Sequence, residues 1–132
     1  MKQDKRETER RGALRIAQDV GAKAAASGFD WEDYDGPLRK IYEELGEFEK
    51  VISHESRAPE RLRDELGDIL FSVVNLARHL GIDAEEALQG AVGKFERRFA
   101  RVEEKVGDGA ATMEQMSIDE LEELWQESKS ED

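Results

Sequence analysis

The sequence predicts an all-α fold of four to five helices. Apolar residues recur at helical spacing, as in Ile41, Leu45, Phe48 and Ile52. Two prolines and 11 glycines among 132 residues are too few for a turn-rich all-β protein. The hydrophobic fraction, 38%, is no larger than the charged fraction, 39%, which favours thin amphipathic helices over an α/β sandwich. We therefore expect one domain over residues 1–132, with about 1–11 and 130–132 frayed.

The first two helices are separated by an aromatic loop. A helix over residues 2–26 is predicted, followed by a loop over 27–36 whose three aromatic residues indicate packing rather than free motion. Pro37 fits the first turn of the second helix, which should end near 54–57, before Pro59.

Three further helices follow, each with a start or stop signal. The third, about 60–80, has the widest apolar arc, and Gly81 is a natural stop after it. Asp83 with Glu86 forms a capping box that opens the fourth helix, about 84–105, and Gly107-Asp108-Gly109 breaks it. Ser117 with Glu120 opens a fifth helix over 118–128 in the same way, and no strand candidate is present.

Composition excludes several classes of function. The 32 acidic and 20 basic residues give a net charge of -12, which is unfavourable for binding a nucleic acid polymer. The chain has no cysteine and two histidines, so a metal site would be built mainly from oxygen. No apolar run approaches the roughly 20 residues of a membrane span, and no secretory signal opens the chain, so we expect no membrane partner and a cytoplasmic location.

Carboxylates on two helices predict a metal site. On the second helix three of them share one face beside the apolar stripe, although like charges at this spacing repel. The third helix carries a narrow polar stripe with two more. If these helices pack antiparallel, the groups meet and suit a hard cation, Mg²⁺ or Mn²⁺, that keeps waters for substrate phosphates. The carboxylates are Glu43, Glu44, Glu47, Glu65 and Asp68, and the stripe also holds Arg61, Ser72 and Asn75.

A basic stripe on the fourth helix predicts phosphate binding. Its members follow at steps of four, three and four: Lys94, Arg98, Arg101 and Lys105. On the fifth helix Trp125 and Lys129 are one turn apart, a spacing that suits a nucleobase and its phosphates. Simpler interpretations exist for each. The stripe can form salt bridges with a neighbouring acidic helix, Trp125 can be a core or interface residue, and paired glutamates are common on helix surfaces.

Together these residues carry a family resemblance. Glu43-Glu44-x-x-Glu47 and Glu65-x-x-Asp68 match the EExxE…ExxD signature of all-α nucleoside triphosphate pyrophosphohydrolases, and the chain resembles their MazG branch. The resemblance covers about residues 12–129, and the chain is most similar to the C-terminal half of two-domain members. The stretches that carry it are GFDW (28–31), KIYEELGE (40–47), DELGDILFSVVNLARHLGID (64–83), KFERRF (94–99) and ELEELWQESK (120–129).

The resemblance implies a Mg²⁺-dependent reaction, NTP + H₂O → NMP + pyrophosphate, in a homodimer. It implies that Glu44, Glu47, Glu65 and Asp68 hold the metal. The residues it implies around the nucleotide are Lys40, Arg61, Lys94, Arg98, Trp125 and Lys129, to which we add Asn75 from the polar stripe. The wide apolar arc of the third helix independently favours a symmetric dimer.

The catalytic candidates are Glu43, Glu44 and Glu47, of which Glu43 or Glu44 is expected to accept the proton of the attacking water. Because aromatic stacking tolerates any base, we expect broad NTP or dNTP use. Two alternatives remain open: a pyrophosphatase with a narrower choice of dNTP or modified nucleotide, and a non-catalytic helical adaptor.

Overall fold

The computed structural model describes residues 12–54, 58–107 and 112–132, and this part of the chain is helical without strands. The predicted all-α fold is confirmed, and none of the described helices has the length and apolar run needed to cross a membrane. The segments 1–11, 55–57 and 108–111 lie outside the described residues; they include the predicted frayed start, part of the predicted first helix and part of the Gly-Asp-Gly break. The helices are α1 (Ala13–Ala26), α2 (Asp35–Ser53), α3 (Pro59–His79), α4 (Ala84–Gly107), a 3₁₀ turn (Met113–Gln115) and α5 (Ile118–Ser130).

A glycine with a positive φ follows each of two helices. Gly28 (φ 93°) follows α1 and Gly81 (φ 70°) follows α3, both in the left-handed region that a residue with a Cβ rarely adopts. After α3, the Gly81 N–H donates to the carbonyl of Arg78 and the next N–H, of Ile82, donates to that of Ala77. This is the Schellman arrangement, which satisfies the last carbonyls of a helix.

Side-chain caps fix where two helices begin, α4 and α5. Ser117 accepts from the Glu120 N–H at 3.1 Å, and the reciprocal bond completes the predicted capping box of α5. Asp83 accepts from the Glu86 N–H at 3.1 Å, as expected for α4. The N-cap of α2 is Tyr34, whose side chain makes no capping hydrogen bond; Asp33 instead accepts from the N–H of Asp35 at 2.9 Å, where α2 begins, two residues before Pro37.

The chain divides into two compact units, residues 1–87 and 88–132. In the first unit α3 packs against both α2 and α1. Its buried apolar side chains include Ile16, Val51, Ile69 and Val74, one or two from each of the three helices. The boundary between the units falls after the first turn of α4, and the assignment of residues 1–132 to a single domain stays a prediction.

The buried face of α2 differs from the sequence expectation. Pro37, Glu44 and Val51, seven residues apart, are the buried positions, whereas Leu45 and Ile52 of the apolar stripe are nearly half exposed. The stripe is therefore not a core face within the first unit, because α2 presents its neighbouring, partly polar face to α3. On α3, an apolar row is likewise exposed: Leu66, Leu70, Phe71 and Val73.

The loop between α1 and α2 is fixed by an ion-pair network rather than by burial of its aromatics. Arg78 donates to both carboxylate oxygens of Asp30, at 2.9 and 2.7 Å, and His79 Nε2 lies 3.0 Å from the same carboxylate. Phe29 is 83% exposed, so the predicted packing of this loop is only partial. The Trp31 ring lies directly over Gly36, where a Cβ would approach ring atoms to 2.6 Å.

This network makes the stability of the fold pH-dependent. Hydrogen bonds from Arg78 and His79 hold the pKa of the Asp30 carboxyl well below its usual range. The contribution of Asp30 is therefore complete above about pH 4, the pKa in an unfolded chain, and is lost as the pH falls below it. We expect Asp30→Asn to lower the free energy of unfolding at pH 7 by roughly 1–3 kcal/mol, measured by urea denaturation.

The matched control is Glu32→Gln in the same loop, which should change stability little. The difference between Asp30→Asn and the wild type should shrink as the pH is lowered from 5 to 3. A difference that stays constant over this range would contradict the role given to the ionised carboxylate.

Candidate active site

The centre of the site is a buried carboxylate on α2. Glu44 is only 8% exposed, and the Ser72 hydroxyl of α3 donates to its Oε2 at 3.5 Å. Burial raises its pKa above the usual range, and the negative charges of Asp68 and Glu65 raise it further, against the opposing effects of Lys40 and Ser72. The polar stripes of α2 and α3 therefore meet, as the sequence predicts.

A lysine one turn earlier on α2 partly balances these charges. The ammonium of Lys40 lies 3.7 Å from a carboxylate oxygen of Glu43 and 3.8 Å from one of Glu44. Glu43 is mostly exposed, so this pair is solvated on one side and contributes little energy. Lys40 thus joins the two adjacent glutamates of the predicted motif.

A cavity of about 390 Å³ gathers three more of the predicted residues. Glu47 of α2 and Arg61 and Glu65 of α3 line it. Lys50 and His54 also line it, and the sequence reasoning did not select them. Their spacing was the available signal, since they follow Glu47 by three and seven residues, a repeat that places residues on one side of a helix.

The donor set fits a hard cation that retains water. Between residues 12 and 132, apart from the gaps at 55–57 and 108–111, no three histidine or carboxylate side chains stand as a closed ligand set. The carboxylates are instead spread along the groove between α2 and α3, and oxygen donors outnumber the one imidazole, that of His54, which lines the cavity. Mg²⁺ suits such a groove because it is commonly held by one or two carboxylates, with waters and substrate phosphates completing its shell.

Asn75 lies in a different, mainly apolar cavity of about 480 Å³. Phe29, Trp31 and Phe71 line it together with Asn75 and Arg78. The Arg78 Nη2 group lies 3.5 Å from the Asn75 Oδ1 atom and donates to it. Asn75 stands about one turn beyond Ser72 on α3, so this cavity follows the carboxylate groove along the same helix.

In the second unit, most of the basic stripe is ion-paired within the chain. Arg98 and Arg101 contact the Asp132 carboxylate, and Lys105 contacts Glu127 at 3.0 Å. Salt bridges to an acidic helix, one of the two interpretations of the stripe, therefore describe these three residues. The predicted fraying of 130–132 also differs from the structure, because α5 runs through Ser130 and Asp132 is held by two arginines.

The remaining nucleotide candidates of this unit surround one aromatic cluster. The Trp125 ring is half-buried, lies 5.2 Å from the Phe95 ring between centroids and has the Arg98 guanidinium 5.9 Å from its centroid. Lys94 and Lys129 are exposed and make no ion pair within the described part of the chain. Trp125 thus packs within its unit while keeping some exposed surface.

These features define a class of helical proteins in which a buried glutamate and further carboxylates face one another across two antiparallel helices. Residues 34–102, which include α2, α3 and most of α4, match the family described as MazG nucleotide pyrophosphohydrolase domain. Because this match covers more than half of the chain, the chain belongs to the MazG family, and the resemblance noted from its motifs is confirmed.

Two curated relatives match most of the chain. The chain is 40% identical over 120 residues to the Nucleoside triphosphate pyrophosphohydrolase/pyrophosphatase MazG of Thermotoga maritima, covering 91% of this chain and 45% of that protein. It is 42% identical over 121 residues to the Nucleoside triphosphate pyrophosphohydrolase of Escherichia coli, covering 89% of this chain and 44% of that protein. The chain thus spans less than half the length of these relatives.

Because Glu44 is buried among like charges, we expect it to lower the stability of the folded chain. Its pKa is raised by burial and by like charges, so at neutral pH the ionised form opposes folding. We expect Glu44→Gln to raise the free energy of unfolding by about 1 kcal/mol in EDTA, because the amide keeps the bond to Ser72 without the charge. Urea denaturation at pH 7 measures this.

Glu43→Gln is the matched control, since it removes the same charge from the adjacent, exposed position. It should leave stability nearly unchanged. If Glu44→Gln proved the more destabilising of the two, the ionised Glu44 would be a stabilising partner of Lys40 rather than a strained one.

Proposed function

We propose that this chain hydrolyses nucleoside triphosphates to the monophosphate and pyrophosphate with Mg²⁺, or Mn²⁺ in its place. The observation that carries the proposal is the buried Glu44 carboxylate beside Glu65 and Asp68, an arrangement that costs stability without a cation. Membership of the MazG family and the activities for which the two relatives are named support the choice of reaction.

The proposed cation ligands are Glu44, Glu47, Glu65 and Asp68. A bound Mg²⁺ would neutralise phosphate charge and lower the pKa of a coordinated water. The placement of these carboxylates supports the proposal. Helix α2 contributes two of them and α3 the other two, and Glu47 and Glu65 line one cavity. The Ser72 hydroxyl of α3 donates to the Glu44 carboxylate across the groove.

The remaining groups of the first unit bind and position the substrate. Lys40 and Arg61 supply positive charge to the triphosphate at either end of the carboxylate groove. Glu43 or Glu44 accepts the proton of the attacking water as a new oxygen–phosphorus bond forms and a phosphoanhydride bond between the α and β phosphates breaks. Glu43 is exposed and can turn toward a water, which leaves Glu44 to hold the cation.

The nucleotide-binding candidates of the second unit are proposed to bind phosphates and a base. Lys94 and Arg98 bind outer phosphates, while Trp125 and Lys129 take the base and its neighbouring phosphate. Stacking on Trp125 favours broad use of bases. The cavity around Asn75 favours the narrower alternative, because its aromatic walls and single amide suit one kind of base.

We further propose that two chains associate through the exposed apolar face of α2 and α3. Leu45 and Ile52 of α2 and the leucines of α3 form a surface that a second copy would cover symmetrically. A face with this many exposed large side chains is uncommon on a protein that stays monomeric.

The reaction predicts pyrophosphate release from a nucleotide panel. With Mg²⁺, each NTP and dNTP should yield pyrophosphate and the matching monophosphate, and EDTA should abolish release, because the carboxylates alone repel the triphosphate. Pyrophosphate and monophosphate are measured separately. Release of orthophosphate instead would contradict the proposed bond cleavage, and no release from any nucleotide would favour the adaptor alternative.

Charge-neutral variants locate the reaction in the groove. Glu47→Gln should lose at least about a hundredfold in kcat while its helical circular dichroism stays unchanged, since one cation ligand is missing. Glu49→Gln, two residues away on the exposed side of α2, is the control and should keep wild-type activity. Equal activity of both variants would remove Glu47 from the site.

The proposed dimer has its own test by light scattering. The wild type should have twice the 15.0 kDa mass of one chain, and Leu70→Lys should shift it toward a single chain, because burying an unpaired ammonium is costly. Ile118→Lys, at another exposed apolar position, should leave the mass unchanged. A wild type of 15.0 kDa at micromolar concentration would contradict the proposal.

A further inference from the structure

The Asp132 carboxylate lies between two arginines of α4. Arg98 Nε donates to Oδ2 at 2.6 Å and Arg98 Nη2 lies 2.5 Å from the same oxygen. Arg101 Nη1 donates to Oδ1 at 2.5 Å. Each carboxylate oxygen is therefore held by its own guanidinium, and hydrogen bonds from Arg101 and Arg98 lower the pKa of Asp132.

Neighbouring contacts hold both arginines in place. Arg101 Nη1 also donates to the backbone carbonyl of Ser128 at 2.7 Å, which fixes its direction toward α5. The Arg98 guanidinium lies 5.9 Å from the centroid of the Trp125 ring. The two side chains are only 17% and 24% exposed, so the pair is positioned before any ligand arrives.

The same geometry suits a phosphoryl group. Guanidinium groups bind carboxylate and phosphate oxygens with similar planar hydrogen bonds, and phosphate offers more oxygens and more negative charge. The Asp132 side chain is 30% exposed, so water reaches its side of the ion pair, and solvated ion pairs contribute little net free energy. Another anion can therefore displace this carboxylate. A polyphosphate would therefore compete with Asp132 for these two groups.

We propose that Arg98 and Arg101 together form a phosphoryl-binding subsite and that Asp132 is its built-in competitor, which leaves when the ligand's phosphate binds. This adds Arg101 to the proposed phosphate-binding residues and gives the 131–132 segment a role. The identity of the ligand as a nucleoside triphosphate rests on the proposed function, whereas the anion subsite itself does not.

The direct test is calorimetric titration of the full chain with inorganic tripolyphosphate. Asp132→Ala should bind it about two- to fivefold more tightly than the wild type, because the competitor is gone. Asp119→Ala is the matched control: it removes the same charge from an exposed position near the start of α5 and should bind as the wild type does. Arg101→Gln should bind at least about fivefold more weakly.

Each result decides the proposal. Equal affinities for Asp132→Ala and Asp119→Ala would overturn the competitor role, even if both exceeded the wild type, because only the overall charge would then matter. An unchanged affinity in Arg101→Gln, with circular dichroism as in the wild type, would overturn the two-arginine subsite.

Kinetics separate this proposal from the proposed function. With an active nucleotide, Asp132→Ala should lower KM about two- to fivefold at unchanged kcat, since the competitor affects binding and not the chemical step. A wild type without activity on any nucleotide would contradict the proposed function, while the tripolyphosphate titration would still decide the subsite.

Discussion

The arrangement of the first unit depends on one costly placement, the ionisable Glu44 side chain in the interface between α2 and α3. Burial and the charges of Asp68 and Glu65 disfavour its ionised form, and a hydrogen bond from Ser72 with one distant ammonium group is what opposes them. A sequence selected for stability alone would place an apolar side chain there, as it does seven residues on at Val51. The cost becomes intelligible if a cation and a polyanionic substrate complete the site.

This placement also explains which surface α2 leaves uncovered. Because the carboxylate face turns toward α3, the apolar stripe of Leu45 and Ile52 turns away and stays exposed. The carboxylate groove and the proposed interface between two chains are therefore two consequences of one helix rotation. A single neighbouring helix covers only one side of α2, so it cannot bury both the polar face and the apolar face.

Local signals predicted the helices well. Caps at Asp83 and Ser117 and the stop at Gly81 act within a few residues, so the sequence alone locates these ends. The convergence of carboxylates followed from their helical spacing and from a short connection between α2 and α3. The apolar stripe of α2 was expected to be a core face, but within the first unit Leu45 and Ile52 are nearly half exposed.

Ion pairs between residues far apart in the sequence could not be predicted from local signals. Asp30 and Arg78 are 48 residues apart, and Asp132 and Arg98 are 34 apart, so no periodicity links them. Complementary spacing of acids on α5 and bases on α4 was the one available sign of the second pair. Lys50 and His54 were also missed, since neither forms part of the acidic motif that directed attention to their helix.

The most direct test of the cation's place in this account is the free energy of unfolding as a function of Mg²⁺ concentration, at constant ionic strength. A cation that binds the folded groove stabilises the wild type by RT ln(1 + [Mg²⁺]/Kd), and Glu44→Gln should lose most of this increase. A wild type whose stability is the same in EDTA and in millimolar Mg²⁺ would contradict the account.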